Sequence, residues 1–154
     1  MNEEQLALIE RVRELGGRES GLAVVVTFRA DGSAPGTVVN AGVLDHPVTG
    51  ERIVAFVARG HAKKLEHLRA RPRVTVVFRS GWDWVTVEGD AELAGPADAL
   101  DGVAAETLPA LIGSIYAAAV GGTPDEWAHL DTSIADEGHT AVLISPTRVY
   151  TSPD

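Results

Sequence analysis

A chain of 154 residues with 45% hydrophobic content is long enough for one domain with a buried core, and too apolar for global disorder. Its net charge of -9 argues against a surface that grips nucleic acid. It contains no cysteine, which excludes disulfides, thiolate metal sites and cysteine nucleophiles. The opening Met-Asn-Glu-Glu-Gln does not read as a signal peptide, and no apolar run reaches the roughly 18 residues of a membrane span. A soluble, cytoplasmic protein is the resulting expectation.

Residues 3–15 read as an amphipathic helix with Leu8, Ile9, Val12 and Leu15 on one face, ended by Gly16-Gly17. Residues 21–30 are apolar and β-branched, a strand, and Asp31-Gly32 signals a hairpin into a second strand over 34–44. Pro35 and Gly36 near the start of that strand suggest an edge or bulge. His46-Pro47 and Thr49-Gly50 mark a polar turn before a third strand, 52–58.

The segment 59–73 inverts the charge of the chain. It holds six of the 13 Lys and Arg residues and a single acid, Glu66. A helix is expected from near His61, with Ala62, Leu65 and Leu68 toward the core and Pro72 as its stop. A strand end, a glycine and a helix N-terminus then converge beside Arg59, Lys63 and Lys64. That arrangement suits a phosphate or another anion, and it equally suits a solvated basic face.

Residues 74–78 form a fourth strand, Gly81 a turn, and 82–93 a fifth strand with Trp84, Thr86 and Glu88 on one face. A helical region follows from Gly95-Pro96 to about Val120, with an interruption at Pro109 and an end at Gly121-Gly122. Thr123-Pro124-Asp125-Glu126 is a capping-box pattern for a helix that carries Trp127, Leu130 and Ile134 on one face. Two short strands, 140–145 and 148–151, close the chain. Strands joined by short hairpins without strict βαβ alternation favour an antiparallel sheet closed as a small barrel.

No HExxH, P-loop, GxGxxG or GxSxG pattern occurs. His61 and His67, six residues apart, lack a metal-ligand spacing, and His46, His129 and His139 stand alone, so no metal is expected. No carboxylate pair stands out as an acid/base couple. Any redox or transfer chemistry is expected to come from a bound cofactor, with the protein supplying the pocket.

Five stretches together carry a family resemblance: Phe28 to Pro35, Ile53 to Phe56, Arg59 to Lys64, Leu68 to Val74 and Gly81 to Glu92, joined by Asp125-Glu126-Trp127 and Arg148-Val149-Tyr150. In order and spacing they resemble the pyridoxamine-phosphate-oxidase-like split-barrel flavoproteins, and within them the actinobacterial branch that uses the deazaflavin coenzyme F-420. The resemblance implies a mainly β (α+β) fold over residues 1–154: a single domain, a six-stranded antiparallel split β-barrel of the FMN-binding type with flanking helices. It implies a homodimer with two cofactor sites at the subunit interface, a small-molecule substrate, and neither nucleic acid nor membrane as a partner.

The cofactor ring would lie along the second and third strands, near Val39, Asn40, Ala41, Phe56 and Ala58. Its acidic tail would meet Arg59, Gly60, His61, Lys63 and Lys64, with Lys64 the most direct match to the family's lysine. Two departures stand out: His67 replaces a family Asn, and Gly138-His139-Thr140 replaces an Arg-Arg pair. Asn40 reads either as a satisfied buried amide or as a donor to the ring carbonyls. Trp82 and Trp84 read as core or dimer packing, or as one wall of the partner's pocket. The seam is expected along the apolar faces of strands 74–78 and 82–87. The implied activity is reduction of an electron-poor small molecule with reduced F-420 as hydride donor. The alternatives are an FMN-dependent oxidase or reductase and a non-catalytic carrier, store or sensor of F-420. No side chain is assigned as catalytic.

Overall fold

The computed structural model of the chain describes residues 2–128 and 137–151. Six strands form one closed antiparallel barrel in the order β1-β2-β3-β6-β5-β4. They are β1 (Leu22–Val26), β2 (Gly36–Asp45), β3 (Arg52–Ala58), β4 (Arg73–Ser80), β5 (Asp83–Ala94) and β6 (Thr140–Thr151). Around them lie α1 (Glu3–Arg18), α2 (Lys63–Ala70), α3 (Leu108–Val120) and α4 (Pro124–Ala128).

Strand alternation sorts the side chains. Val25, Ala41, Phe56, Val76, Phe78, Val87 and Ile144 point inward and form one buried cluster. Helix α1 adds Ile9, Val12 and Leu15 to that cluster, and α2 adds Leu65 and Leu68. Burying each of the larger side chains contributes about 1.5–3 kcal/mol relative to exposure. A second cluster lies outside the barrel, where α3 covers Ile53, Ala55, Ala141 and Leu143 with Leu111, Ile112 and Ile115. The helix comes so close to β2 that a Cβ on Gly42 would sit 2.6 Å from the Ala118 carbonyl carbon, so only glycine fits there.

The third strand, the Asp31-Gly32 hairpin, the glycine stop of α3 and the capping box stand where expected. In that box Thr123 Oγ1 accepts from the Glu126 amide at 3.3 Å, and Glu126 Oε2 accepts from the Thr123 amide at 3.2 Å. Several boundaries differ for physical reasons. Helix α1 runs through Gly16-Gly17 to Arg18, because Gly16 is buried within reach of the Phe78 ring, and the chain reverses only at Ser20 and Gly21, both at positive φ. Helix α2 begins at Lys63, after an extended Ala62. Pro109 occupies the first turn of α3 and starts that helix instead of interrupting it. Residues 95–104 are not helical; they fold back through a two-way backbone pair between Gly95 and Asp98. The closing strands are one strand, β6, which carries Thr147 as an extra residue opposite the Glu88/Gly89 bulge. Leu130, Ile134 and His129 lie outside the described residues.

Candidate anion and cofactor site

Strand β3 ends at Ala58, Arg59 and Gly60 turn the chain, and α2 opens at Lys63 behind Ala62. Ala62 offers no side-chain cap, so the first-turn N–H groups of α2 are without an internal acceptor of that kind. The cations of this segment differ in what they hold. Lys63 pairs with Glu66 one turn on, at 3.3 Å. Arg69 grips Asp98 with two bonds of 2.9 and 2.7 Å, which ties α2 to the 95–104 loop. Arg71 donates from Nε to the Phe28 carbonyl at 2.9 Å, and the Arg73 guanidinium lies 5.3 Å from the Phe28 ring centroid. His67 shares a 2.9 Å hydrogen bond between Nδ1 and Thr27 Oγ1, a contact that anchors α2 to the end of β1.

Lys64 is the exception. It is half-buried, and among the described residues it has no carboxylate within ion-pair distance. Burial alone pushes its ammonium below the usual lysine range. A partly desolvated cation without a counterion, beside an uncapped helix start, is the arrangement an incoming anion would complete.

Arg59 is held from another direction. Its Nε lies 3.2 Å from Glu137 Oε2, and His139 Nε2 approaches the same oxygen at 3.3 Å. The Gly60 amide donates to the Glu137 carbonyl at 2.9 Å. A Cβ on Gly60 would sit 2.9 Å from the Gly138 oxygen, so the two segments meet backbone to backbone. His61 is exposed.

The ring-site residues divide by strand parity. Val39, Ala41, Phe56 and Ala58 belong to the buried interior cluster, so a molecule on the outer surface meets their backbone and not their side chains. The outward residues of β2 are Val38 and Asn40. Asn40 donates from Nδ2 to the Ser20 carbonyl at 2.8 Å, which fixes the amide plane; it is neither buried nor free to rotate.

Register lines Val38, Val24, Val77, Thr86 and Tyr150 in one row across β2, β1, β4, β5 and β6. The row is open at Val38, 64% exposed, and at Val24, 43%, and closes at Thr86, which is buried between its neighbours. The apolar faces of β4 and β5 expected to form a seam, Val74, Val76, Phe78, Val85 and Val87, point into the barrel; what those strands offer outward is Val77, Trp84 and Thr86. Trp84 meets Tyr150 edge-on at 6.2 Å, and the Tyr150 hydroxyl donates to Glu88 Oε2 at 2.6 Å. That bond raises the Tyr150 phenol above its ordinary value. Trp82 stands at the β4–β5 hairpin tip with 97% of its surface exposed. The tip itself is fixed: Arg79 donates to the Gly81 carbonyl at 2.8 Å, and Asp83 pairs with Arg18 at 3.2 Å and Arg11 at 3.6 Å. Trp127 packs as an anchor, stacked 5.3 Å from Tyr116 and donating to the Gly121 carbonyl at 2.8 Å.

The site therefore brings Arg59, Gly60, His61, Lys63 and Lys64 together at one barrel end. Trp82 lies in the β4–β5 hairpin, between the end of β4 and the start of β5. Sequence reasoning did not find Glu137, Thr27 or the Tyr150–Glu88 bond. Each of these contacts joins residues at least 40 apart, and no local pattern reports such pairs.

Among solved structures, the conserved hypothetical protein Rv2991 from Mycobacterium tuberculosis matches with TM-score 0.66 and 19% identity, over 98% of this chain and 84% of that one. A putative pyridoxamine 5'-phosphate oxidase from Listeria innocua matches with TM-score 0.58 and 13% identity, over 96% and 99%. HutZ, described as the heme storage protein of Vibrio cholerae, matches with TM-score 0.58 and 12% identity, over 92% of each chain. At these identities the likeness is one of fold. No curated protein matches the sequence. The model of the family described as pyridoxamine 5'-phosphate oxidase matches residues 7–152, nearly the whole chain, and the protein belongs to that family.

Proposed function

We propose that the protein is an oxidoreductase that binds coenzyme F-420 and works as a homodimer, reducing an electron-poor small molecule. The observation that carries this reading is Lys64: a partly desolvated cation with no ion-pair partner among the described residues, at a helix start without a side-chain cap. A phosphate-bearing tail supplies the missing charge, and Lys63, Arg59 and His61 surround it with further donors. The several cations favour a tail longer and more acidic than a single phosphate, which argues for F-420 over FMN.

The chain's own residues bind and orient. The outer edge of β2 offers Val38 as an apolar surface and Asn40 as an amide held by Ser20. The row from Val38 to Tyr150, open at Val38 and Val24, suits a second copy of the same face, an isologous contact of the obligate class, about 2,000 Å² or more. Trp82 and Trp84 then lie where a partner subunit's site can be walled and water excluded. When bound, the deazaflavin supplies the hydride. No side chain is assigned as proton donor.

A second reading is a carrier or storage protein. HutZ shares this fold and is described as a store of heme, and nothing in the Lys64 site demands turnover. Parallel fluorescence titrations with F-420 and with FMN separate the readings. Tighter binding of F-420, with turnover on an electron-poor acceptor, is the expected result. Equal or tighter FMN binding, or a yellow protein that keeps FMN through purification, overturns the cofactor assignment. Tight F-420 binding without turnover on any acceptor leaves the carrier.

A further inference from the structure

Glu137 has a position at the anion site that the proposed function does not use. One carboxylate oxygen, Oε2, takes both Arg59 Nε at 3.2 Å and His139 Nε2 at 3.3 Å. The backbone beneath is held at Gly60: its amide donates to the Glu137 carbonyl, and it packs on Gly138 with no room for a side chain. Glu137 is thereby fixed beside the first cation of the basic segment. The ion pair itself is solvent-accessible, with the Arg59 side chain 65% exposed and that of Glu137 43%. An exposed pair of this kind is weak and exchangeable.

We propose that Glu137 is an internal competitor for the anion subsite and sets its selectivity for phosphate. This inference rests on the reading of the basic segment as an anion site. With the site empty, the Glu137 carboxylate occupies Arg59. An incoming anion gains the Nε–H side of Arg59 only by replacing Glu137. A ligand carboxylate exchanges like for like and gains little. A terminal phosphate brings a second charge and a third oxygen, and so displaces the carboxylate while Lys64 receives the remaining oxygens. Glu137 remains on His139 after the exchange and keeps the entrance of β6 in place. It acts through Arg59 and is a positioning residue, not a catalytic one.

The test uses inorganic pyrophosphate and acetate as probes, so that it does not depend on which cofactor binds. The Arg59 Nε–H resonance is followed by NMR as each is added, in the wild type, in Glu137→Gln and in Glu137→Asp. Pyrophosphate is expected to shift the Arg59 signal in the wild type, with acetate much weaker. In Glu137→Gln both should bind several-fold more tightly, and the preference for pyrophosphate should narrow. Glu137→Asp, which keeps the charge, should return the preference toward the wild-type value. An Arg59 signal that pyrophosphate leaves unmoved, or affinities and preference equal in wild type and Glu137→Gln, overturns the proposal. A protein that binds neither F-420 nor FMN yet shows the pyrophosphate competition retains this inference while losing the cofactor reading.

Discussion

The barrel has two outer faces, and the chain treats them differently. On β3 and the first half of β6, the outward residues Ile53, Ala55, Ala141 and Leu143 are covered by α3 and almost completely buried. On β1, β4 and the ends of β2, β5 and β6, the outward row is Val38, Val24, Val77, Thr86 and Tyr150, open at Val38 and Val24. Both faces come from the same strand alternation, and both carry β-branched and aliphatic residues. The difference is that one has its cover in the chain. Valines left open at Val38 and Val24, beside a fixed hairpin that displays a tryptophan, fit a partner surface better than a solvent surface.

Charge placed on each face sharpens the contrast most. Leu143→Asp buries an unpaired carboxylate under α3 and should cost about 4 kcal/mol or more, enough to leave little folded protein in a thermal melt. Val24→Asp should leave the melting of the single chain within about 1 kcal/mol of wild type while abolishing self-association in light scattering. If Val24→Asp unfolds the chain as Leu143→Asp does, the two faces are equivalent and the comparison fails. A gentler probe of the covered face is Gly42→Ala. Its methyl group has no space beside Ala118 and Ala119, and a loss of about 1–3 kcal/mol in chemical denaturation is expected.

At the basic segment, Lys64→Ala should weaken F-420 binding by about 1.5–3 kcal/mol, the contribution of a charged hydrogen bond. Wild-type affinity should fall with added salt and the variant's should fall less steeply. An unchanged dissociation constant in Lys64→Ala and in the Arg59/Lys63 double variant returns the segment to a solvated basic face.

The smallest expected effect compares one tyrosine from each region. Tyr116 lies on the covering helix and its phenol is raised chiefly by burial; Tyr150 lies on the open face and its phenol is raised chiefly by the bond to Glu88. A phenol raised in the folded state stabilises the fold below the unfolded value near 10, and that contribution is lost as pH rises through the folded value. In an ultraviolet titration Glu88→Gln should lower the Tyr150 transition and leave that of Tyr116 in place. Movement of both, or of neither, would contradict the assignment of causes.

The barrel was legible in the sequence because its signals are local. The apolar run in 53–58, the alternation in 82–93, the Asp31-Gly32 turn and the basic helix before Pro72 each report their own element. Where the expectation slipped, tertiary contact overrode local preference. Gly16-Gly17 reads as a helix stop, yet packing on Phe78 carries α1 past it. Two strands were expected where a bulge at Thr147 lets one strand, β6, turn past Gly89. At the site, the cluster of cations could be read directly. Which of them lacks an ion-pair partner among the described residues could not, because that depends on Glu66 within the helix but on Asp98 and Glu137 from distant segments. Parity was the other gap: the sequence marks β2 as a strand but not that Val38 and Asn40, and not Val39 and Ala41, face outward.

The central claim is that the open face and the Lys64 site belong to one functional unit made by two chains. Light scattering combined with F-420 titration on the wild type and on Val24→Asp tests it most directly. The expected result is a wild-type dimer that binds the cofactor and a folded Val24→Asp monomer that does not. A wild-type monomer that binds F-420, or a Val24→Asp monomer with wild-type affinity, would contradict it.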